Sequence, residues 1–238
     1  PFNQDISNWD VSNVINMGSM FNNANDLSDE NKCAIHTSFS SNENWIYDWS
    51  NLCTQTVFQP QTKEELQTAV NLWIDDNSTA LSTYGEINTW DVSLIVDFSY
   101  LFSDKINFND DISSWDISNA TDVIRMFSGA NNFNQDLSNW DVSNVTNMDF
   151  MFYGASVFNG NISNWNVSSV MVFKGMFVNA GNFNQDLSNW NVSNAGDMKD
   201  MFNNASSFDG NISSWDVSNV VHMEGMFKGA SSFNQDLS

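Results

Sequence analysis

A pattern of hydrophobic and polar positions recurs every 25 residues along most of the chain. Tryptophans mark it at Trp90, Trp115, Trp140, Trp165, Trp190 and Trp215, and phenylalanines at Phe108, Phe133, Phe158, Phe183, Phe208 and Phe233. Residues 2–26 contain another copy, with Trp9, Met17 and Phe21 at the corresponding positions. A strict period with an unbroken apolar skeleton predicts stacked coils, because one unit cannot bury its aromatic side chains alone.

Two hydrophobic periodicities inside each unit predict a strand followed by a helix. Leu137, Trp140 and Val142 alternate as in a strand of about three to five residues. The helical spacing that follows involves Val145, Met148, Met151, Phe152 and Ala155. We expect about two helical turns there, capped by Ser143 or Asn144. The predicted fold class is an α/β repeat solenoid similar to leucine-rich-repeat proteins, with a short parallel strand and a short helix per coil and helical caps.

The repeat is interrupted, because Trp9 and Trp90 lie 81 residues apart. A short helix is predicted after Ser28, and Thr62–Glu65 is a capping box that opens an amphipathic helix. We interpret residues 1–26 as the last coil of one array and 27–56 as its C-terminal cap. Residues 57–82 are then an N-terminal helical cap and 83–238 a second array of about six coils, open at its C-terminal end. The alternative is one continuous solenoid with a looped-out insertion.

Units such as FNQDLSNWDVSNVTNMDFMFYGAS, residues 133–156, resemble the BspA-like leucine-rich repeats of bacterial surface proteins. The segment L-x-x-W-x-V-x-x-V is similar to the leucine-rich pattern L-x-x-L-x-L-x-x-N, with its final Asn replaced by an apolar residue. The resemblance implies an extracellular or surface-attached protein that binds or scaffolds rather than catalyses.

The two ends of the chain carry the same piece of the repeat. Residues 2–7 read FNQDIS and residues 233–238 read FNQDLS. We therefore expect the chain to be a section of a longer protein, or one period of a polymer or tandem array.

The charge balance restricts the partners. The chain has 29 acidic and 7 basic residues, a net charge of −22, which disfavours nucleic acid and anionic membrane surfaces. No run approaches the roughly 20 apolar residues of a membrane span, so no membrane insertion is expected in this segment. The expected partners are a protein or glycan at the cell surface, or copies of the chain itself.

Polar rows recur beside the buried valine of the predicted strand. The candidate interaction face comprises Ser93, Ser118, Ser143, Ser168, Ser193, Ser218, Asp91, Asp116, Asp141, Asn166, Asn191 and Asp216. Carboxylates stacked about 4.8 Å apart at Asp91, Asp116 and Asp141 would repel by roughly 0.9 kcal/mol per pair in water. Calcium could relieve that repulsion, the alternative being a solvated polar face. A second row alternates strictly between Asp and Asn: Asp136, Asn161, Asp186, Asn211 and Asp236.

Cys33 and Cys53 both fall in the predicted cap. A disulfide between them would fit an oxidising, extracellular location, and two unpaired core thiols are the alternative. Possible N-glycosylation sequons occur at Asn77, Asn119, Asn144, Asn161, Asn166, Asn191, Asn204 and Asn211. Such matches also arise by composition in an Asn- and Ser-rich repeat.

Nothing in the sequence predicts catalysis. His36 and His222 are unrelated in repeat phase, and no nucleophile elbow, phosphate loop or zinc-binding motif occurs. We expect a non-enzymatic extracellular or cell-surface module acting in adhesion or in protein or glycan interaction, with no cofactor apart from possible calcium. The alternative function is a purely structural subunit of an extracellular filament or rod.

Overall fold

The computed structural model describes residues 2–53 and 57–237, and the chain divides into two compact units, Pro1–Thr56 and Val57–Ser238. The division falls where the sequence predicts the junction of two caps. The described helices are α1 (Asp29–Phe39), α2 (Lys63–Asp75) and α3 (Asn77–Tyr84), with single 3₁₀ turns at Ser50–Leu52 and Ile87–Thr89. Within the described ranges, β-pairing consists of isolated bridges, and no extended strand or sheet is present.

Unit 1 is one coil closed by α1 and an aromatic cluster. The Ser28 side chain caps α1 by accepting a hydrogen bond from the Asn31 amide at 3.2 Å. Ile35 and Phe39 of this helix are fully buried in the core of the unit. Rings of three further residues pack on Phe21, with centroid distances of 6.2, 5.4 and 5.1 Å to Trp45, Tyr47 and Trp49. The structure joins Cys33 and Cys53 in a disulfide, with a Cα–Cα distance of 4.9 Å.

Two helices close the start of unit 2. Thr62 accepts from the Glu65 amide at 3.2 Å, as the predicted capping box requires. The Glu65 carboxylate accepts at 2.6 Å from the amide of Gln61, one residue before the N-cap, rather than from that of Thr62. The apolar face of α2 is buried through Leu66, Ala69, Val70 and Trp73. A further helix, α3, was not predicted; its N-cap Asp76 accepts from the Thr79 amide at 3.2 Å.

The predicted strand of each coil is wrong. The Trp140 amide donates to the Leu137 carbonyl at 3.1 Å, and the Val145 amide to Val142 at 2.9 Å. Two consecutive β-turns therefore occupy the segment expected to be extended. Turns place apolar residues inside at intervals of two and three positions, so they reproduce the alternation that indicated a strand.

The predicted helix of each coil is also wrong, and with it the α/β leucine-rich-repeat fold class. Phe150 and Gly154 have φ of 53° and 68°, the left-handed region that interrupts a right-handed helix. The amides of Met148, Phe150, Phe152 and Gly154 donate to carbonyls of residues 172, 174, 176 and 178 in the next coil at 2.8–2.9 Å. The intervening amides close turns inside their own coil. Ser143 and Asn144 consequently cap no helix.

The coils of unit 2 are joined by single-residue parallel bridges and by columns of aromatic rings. The bridges link Asp97, Asp122, Asn147, Val172, Asp197 and His222 in succession. Rings of Phe127, Phe152 and Phe177 stack at 5.5 and 5.8 Å. From Trp115 to Trp215, each repeat tryptophan also donates its indole N–H to a carbonyl of the preceding coil, as Trp165 does to Leu137 at 2.9 Å. The result is one core that runs from α2 through the stacked coils.

Candidate interaction surface

The predicted Ser and Asp/Asn rows lie at corners of the coils, where their side chains fold the backbone. Each Asp or Asn of the first row accepts from the amide of the Ser two residues later, at 2.9–3.2 Å, at residues 91, 116, 141, 166, 191 and 216. These are Asx turns, which bend a chain without requiring glycine. Hydrogen bonds from Ser93 and Ser143 hold the pKa of Asp91 and Asp141 below the ordinary value. The row thus has a structural role that the sequence interpretation did not assign.

In the described residues, Asp91, Asp116 and Asp141 do not form the set of oxygen ligands that the calcium prediction requires. Among the residues that the structure describes, no group of three His, Cys, Asp or Glu side chains is placed to hold a metal ion. The Asp91 carboxylate instead accepts from Gln59 Nε2 at 2.6 Å.

In the second row, the alternation between Asp and Asn goes with an alternation in packing at the residue just before it. Gln135 donates through Nε2 to the Asn109 carbonyl of the preceding coil at 2.6 Å, and Gln185 does the same to Asn159 at 2.8 Å. In the coil between them the position is Gly160, where a Cβ would overlap the Gln135 carbonyl oxygen. A coil that follows a Gln-type coil therefore needs glycine at this position, as Gly160 follows Gln135 and Gly210 follows Gln185, and the Gln and Gly coils recur with a period of 50 residues.

Most of the sequon asparagines take part in hydrogen bonds of the stack. Asn119 and Asn144 donate through Nδ2 to Ser93 and Ser118 carbonyls of the preceding coil at 2.9 and 2.8 Å. The side chains of residues 161, 166, 191 and 211 accept Asx-turn hydrogen bonds, and Asn204 donates to Asn179 at 3.1 Å. Asn77 is exposed at the start of α3. Glycosylation stays a prediction.

A different surface gathers the rare basic side chains. In the coils of unit 2 they all fall in the segment equivalent to residues 97–105, at Lys105, Arg125, Lys174, Lys199 and Lys228. We call the part of this surface formed by Tyr100, Arg125, Asp149, Phe150 and Lys174 the mixed face. It combines cations, aromatic rings and a carboxylate, whereas the Asx corners carry only Asp, Asn and Ser.

The aromatic and cationic groups of the mixed face are arranged as alternating neighbours. The Arg125 guanidinium lies 4.7 Å from the Phe150 ring centroid and 6.0 Å from that of Tyr100. Lys174 Nζ lies 5.3 Å from the Phe150 ring. These distances allow cation–π attraction on both sides of the phenylalanine. A Cβ at Gly175 would overlap the Phe150 ring, so the glycine makes room for that ring.

Three positions of the mixed face have unusual backbone. Tyr100, Arg125 and Phe150 have φ of 62°, 53° and 53°. Large side chains rarely adopt the left-handed conformation, which costs on the order of 1–2 kcal/mol per residue. The neighbouring coils have Gly175 and Asp200 at this position. Large side chains therefore occupy a backbone conformation that favours glycine in three successive coils.

Asp149 is a partly buried carboxylate between the cations. Its Oδ1 is buried and has no hydrogen-bond partner in the residues that the structure describes. Burial raises the pKa of Asp149, opposed by the charges of Lys174 and Arg125. The carboxylate therefore keeps hydrogen-bonding capacity beside two cations.

Lys63 of α2 belongs to the same surface. Its Nζ lies 2.8 Å from Asp97 Oδ1 and 2.5 Å from Ser99 Oγ. Burial raises the pKa of Asp97, but hydrogen bonds from Lys63 and Ser99 outweigh it and leave the pKa below its usual value. These contacts of Lys63 attach α2 to the first coil of unit 2, within the segment that carries the basic residues in the other coils.

The sequence interpretation missed the mixed face, although one signal for it was present. The common repeat phase of Arg125, Lys174 and Lys199 can be read directly from the sequence. The contact of Arg125 with Phe150 depends on the left-handed backbone, which the helical interpretation excluded. Neither histidine belongs to the mixed face. His36 accepts from the Trp45 indole at 3.0 Å within unit 1, and His222 is exposed in the coil of residues 208–232.

Comparison with known proteins identifies a family for almost the whole chain. A family model described as "Mycoplasma protein of unknown function, DUF285" matches residues 1–58, 70–181 and 137–238. Searches of curated proteins and of solved structures returned no match. In the part of the chain that the structure describes, no helix has both the length and the apolar character needed to span a bilayer.

Proposed function

The chain belongs to the DUF285 family, and we propose that it is a non-enzymatic repeat module that binds a protein or glycan through its mixed face. One observation carries the proposal: Arg125 and Lys174 flank the half-buried Phe150 ring, with Tyr100, 53% exposed, next in the row. Tyrosine and arginine are the side chains most enriched at the energetically important positions of protein interfaces. Aromatic rings with adjacent hydrogen-bonding groups also suit the apolar faces and hydroxyls of sugars.

The mixed face is a better candidate than the Ser and Asp/Asn row predicted from the sequence. The row's side-chain oxygens already accept backbone hydrogen bonds in their own coils, as Asp141 does from Ser143 at 2.9 Å. The predicted binding surface was also a sheet face, and the described residues form no sheet. On the mixed face, in contrast, the Tyr100 side chain is 53% exposed and available for contacts.

We also propose an extracellular or cell-surface location. The Cys33–Cys53 disulfide supports it, because disulfides persist mainly in oxidising compartments. The resemblance of the W-D-V-S-N-V and M-F-x-G-A segments to BspA-like surface repeats supports it too. That kinship is part of the proposal and concerns the sequence motifs, since the residues that the structure describes do not form the strand-and-helix coil of a leucine-rich repeat.

The binding proposal is tested by screening the protein against glycans and extracellular matrix proteins and then comparing two variants. Arg125→Ala removes a cation from the mixed face, and Lys32→Ala removes one from α1 of unit 1, so the change in net charge is the same. We expect Arg125→Ala to weaken binding by at least tenfold and Lys32→Ala to leave it unchanged. Equal effects of the two variants, or no binding partner at all, would contradict the proposal.

A further inference from the structure

The basic side chains of the coils make no ion pairs with the residues that the structure describes. In the cap of the same unit, by contrast, Lys63 Nζ lies 2.8 Å from the Asp97 carboxylate. Two of the unpaired cations belong to the mixed face, where Arg125 and Lys174 lie 4.7 and 5.3 Å from the centroid of the Phe150 ring. Their charges are therefore open to an anion that does not belong to the chain.

The carboxylates of the same surface have structural partners instead. Asp122 and Asp197 each accept from the amide two residues later, both at 2.8 Å, so these side chains fold their own backbone. Burial raises the pKa of Asp149, and the charges of Arg125 and Lys174 oppose that rise without forming an ion pair among the described residues. The cations are thus the groups of the mixed face whose polar atoms lack a partner of opposite charge.

Aromatic rings surround the Arg125 guanidinium. It lies 6.0 Å from the Tyr100 centroid, and the Phe150 ring beside it packs edge-on against Tyr153 at 5.7 Å. Tyr100 and Tyr153 are 53% and 39% exposed. A guanidinium carries five N–H donors in a planar fork that matches the two oxygens of a carboxylate. An exposed tyrosine adds an apolar ring face and a hydroxyl group.

We propose that the mixed face binds a sugar that carries a carboxylate, of the uronic acid class. The Arg125 fork pairs with the carboxylate, Lys174 adds a second positive charge, and Tyr100 packs against the apolar face of the sugar ring. The proposal rests on the binding function of the mixed face proposed above and adds the chemical class of its ligand.

The charge of the whole chain favours a single carboxylate over a polyanion. With a net charge of −22, the protein repels anions at long range. A sulfated polymer or an acidic protein surface brings many negative charges into that field, whereas a uronic acid brings one and places it against two cations. The Asp149 carboxylate, which lies near both cations, competes with the ligand for their charge.

The test compares two disaccharides that differ at one carbon, one ending in glucuronic acid and the other in glucose. Their affinities for the 238-residue chain are measured by NMR titration. We expect the acidic disaccharide to bind at least about tenfold more tightly, because the neutral one cannot accept charge-assisted hydrogen bonds from Arg125. Dextran sulfate and an aspartate-rich peptide are titrated in parallel, and both should bind more weakly than the acidic disaccharide.

Three variants assign the preference to particular side chains. Arg125→Lys keeps the charge but removes the fork, so it should weaken binding of the acidic disaccharide by about tenfold. Asp149→Asn removes the competing carboxylate and should strengthen binding of that disaccharide by about threefold or more, with no change for the neutral one. Lys32→Ala, a charge-matched control in unit 1, should change neither affinity. Circular dichroism checks that each variant is folded.

Several results would overturn the inference: equal affinities for the two disaccharides, no binding of either at millimolar concentration, or tighter binding of dextran sulfate or the peptide. Weaker binding of the acidic disaccharide by Asp149→Asn would overturn it too. The proposed function fails separately, when the wider screen finds no partner or when Arg125→Ala and Lys32→Ala affect the partner equally. A neutral glycan whose binding is lost in Arg125→Ala would support the mixed face as a binding surface and refute the preference for a carboxylate.

Discussion

The caps and the coils of unit 2 satisfy their backbone groups in different ways. Helix α2 pairs its amides within thirteen residues, so its structure follows from local sequence signals. In a coil, every second amide of the segment equivalent to residues 148–154 donates to a carbonyl about one repeat further along the chain. The Phe152 amide, for example, donates to the Met176 carbonyl at 2.9 Å. The comparison teaches that a coil has little structure of its own: its stability depends on the coils on both sides of it.

The largest loss of stability is expected when an aromatic ring is removed from the middle of a stacked column. Phe152 is fully buried between Phe127 and Phe177 of the adjacent coils, whereas Phe227 is partly buried and stacks on Phe202 at 5.7 Å and on Phe233 at 4.2 Å, with no ring at the position that Phe177 holds for Phe152 among the described residues. We expect Phe152→Ala to lower the free energy of unfolding by about 3–5 kcal/mol. The matched Phe227→Ala should cost less than half as much. Urea denaturation measures both, and equal losses would show that neighbouring coils do not determine the stability of a column.

The next prediction concerns the contact between Gln-type and Gly-type coils. A Cβ at Gly160 would overlap the Gln135 carbonyl, but a Cβ at Gly196 would lie 3.9 Å from its nearest neighbour, the Met171 carbonyl oxygen. Gly160→Ala should therefore destabilise the protein by about 1–3 kcal/mol. Gly196→Ala should change the midpoint of thermal unfolding very little. A tolerated Gly160→Ala would remove the packing explanation of the super-period.

A smaller effect is expected at the Asx corners, where structure is local again. Asp141→Ala removes the acceptor of the Ser143 amide and should cost about 0.5–1.5 kcal/mol. Asp141→Asn keeps the acceptor, as Asn166 and Asn191 do naturally, and should be close to neutral. Thermal unfolding of the two variants compares them directly. A loss as large for Asn as for Ala would mean that the charge of Asp141, rather than the turn, stabilises the corner.

The smallest predicted effects are opposite pH dependences at a corner and on the mixed face. Hydrogen bonds from Ser143 lower the pKa of Asp141, so its stabilising contribution is complete above the unfolded-state pKa and is lost as pH falls through the folded-state value. Burial raises the pKa of Asp149, so its carboxylate destabilises the fold increasingly as pH rises from the unfolded-state to the folded-state pKa. Asp149→Asn should therefore gain stability relative to the unmodified protein at neutral pH and lose that gain in mild acid.

The variants Asp141→Asn and Asp149→Asn test this contrast when their unfolding is measured at neutral pH and in mild acid. Asp141→Asn should match the unmodified protein most closely at the lowest pH, where the Asp141 carboxylate is protonated. Identical pH profiles for the two variants would contradict the assignment of opposite environments.

The sequence predicted the caps well because their signals are local. The capping box at Thr62–Glu65 and the apolar face of α2 act within a few residues of each other, and the structure confirms the helix that they indicate. The irregular interval between Trp9 and Trp90 likewise indicated an interruption of the repeat. These features need no knowledge of the neighbouring coils.

The conformation of the coils was predicted wrongly because successive β-turns and a helix place apolar side chains at similar spacings. Val145, Met148 and Met151 point into the core in either case. Two turn signals were present in the sequence: Asp-x-Ser triplets at the corners, and Gly, Asn or Asp at positions 104, 129, 154, 179, 204 and 229, all of which adopt the left-handed conformation. The mixed face could not be predicted, since it depends on left-handed backbone at large residues such as Arg125 and Phe150.

The central claim, that coils are stabilised by hydrogen bonds to the next coil, is tested most directly by amide hydrogen exchange. The measurement is made on the 238-residue chain at low protein concentration. We predict slow exchange at Met148, Phe150, Phe152 and Gly154, and fast exchange at the equivalent amides of residues 223, 225, 227 and 229 in the last coil. Equal protection of the two sets, or continuous protection with helical chemical shifts across residues 145–155, would contradict it.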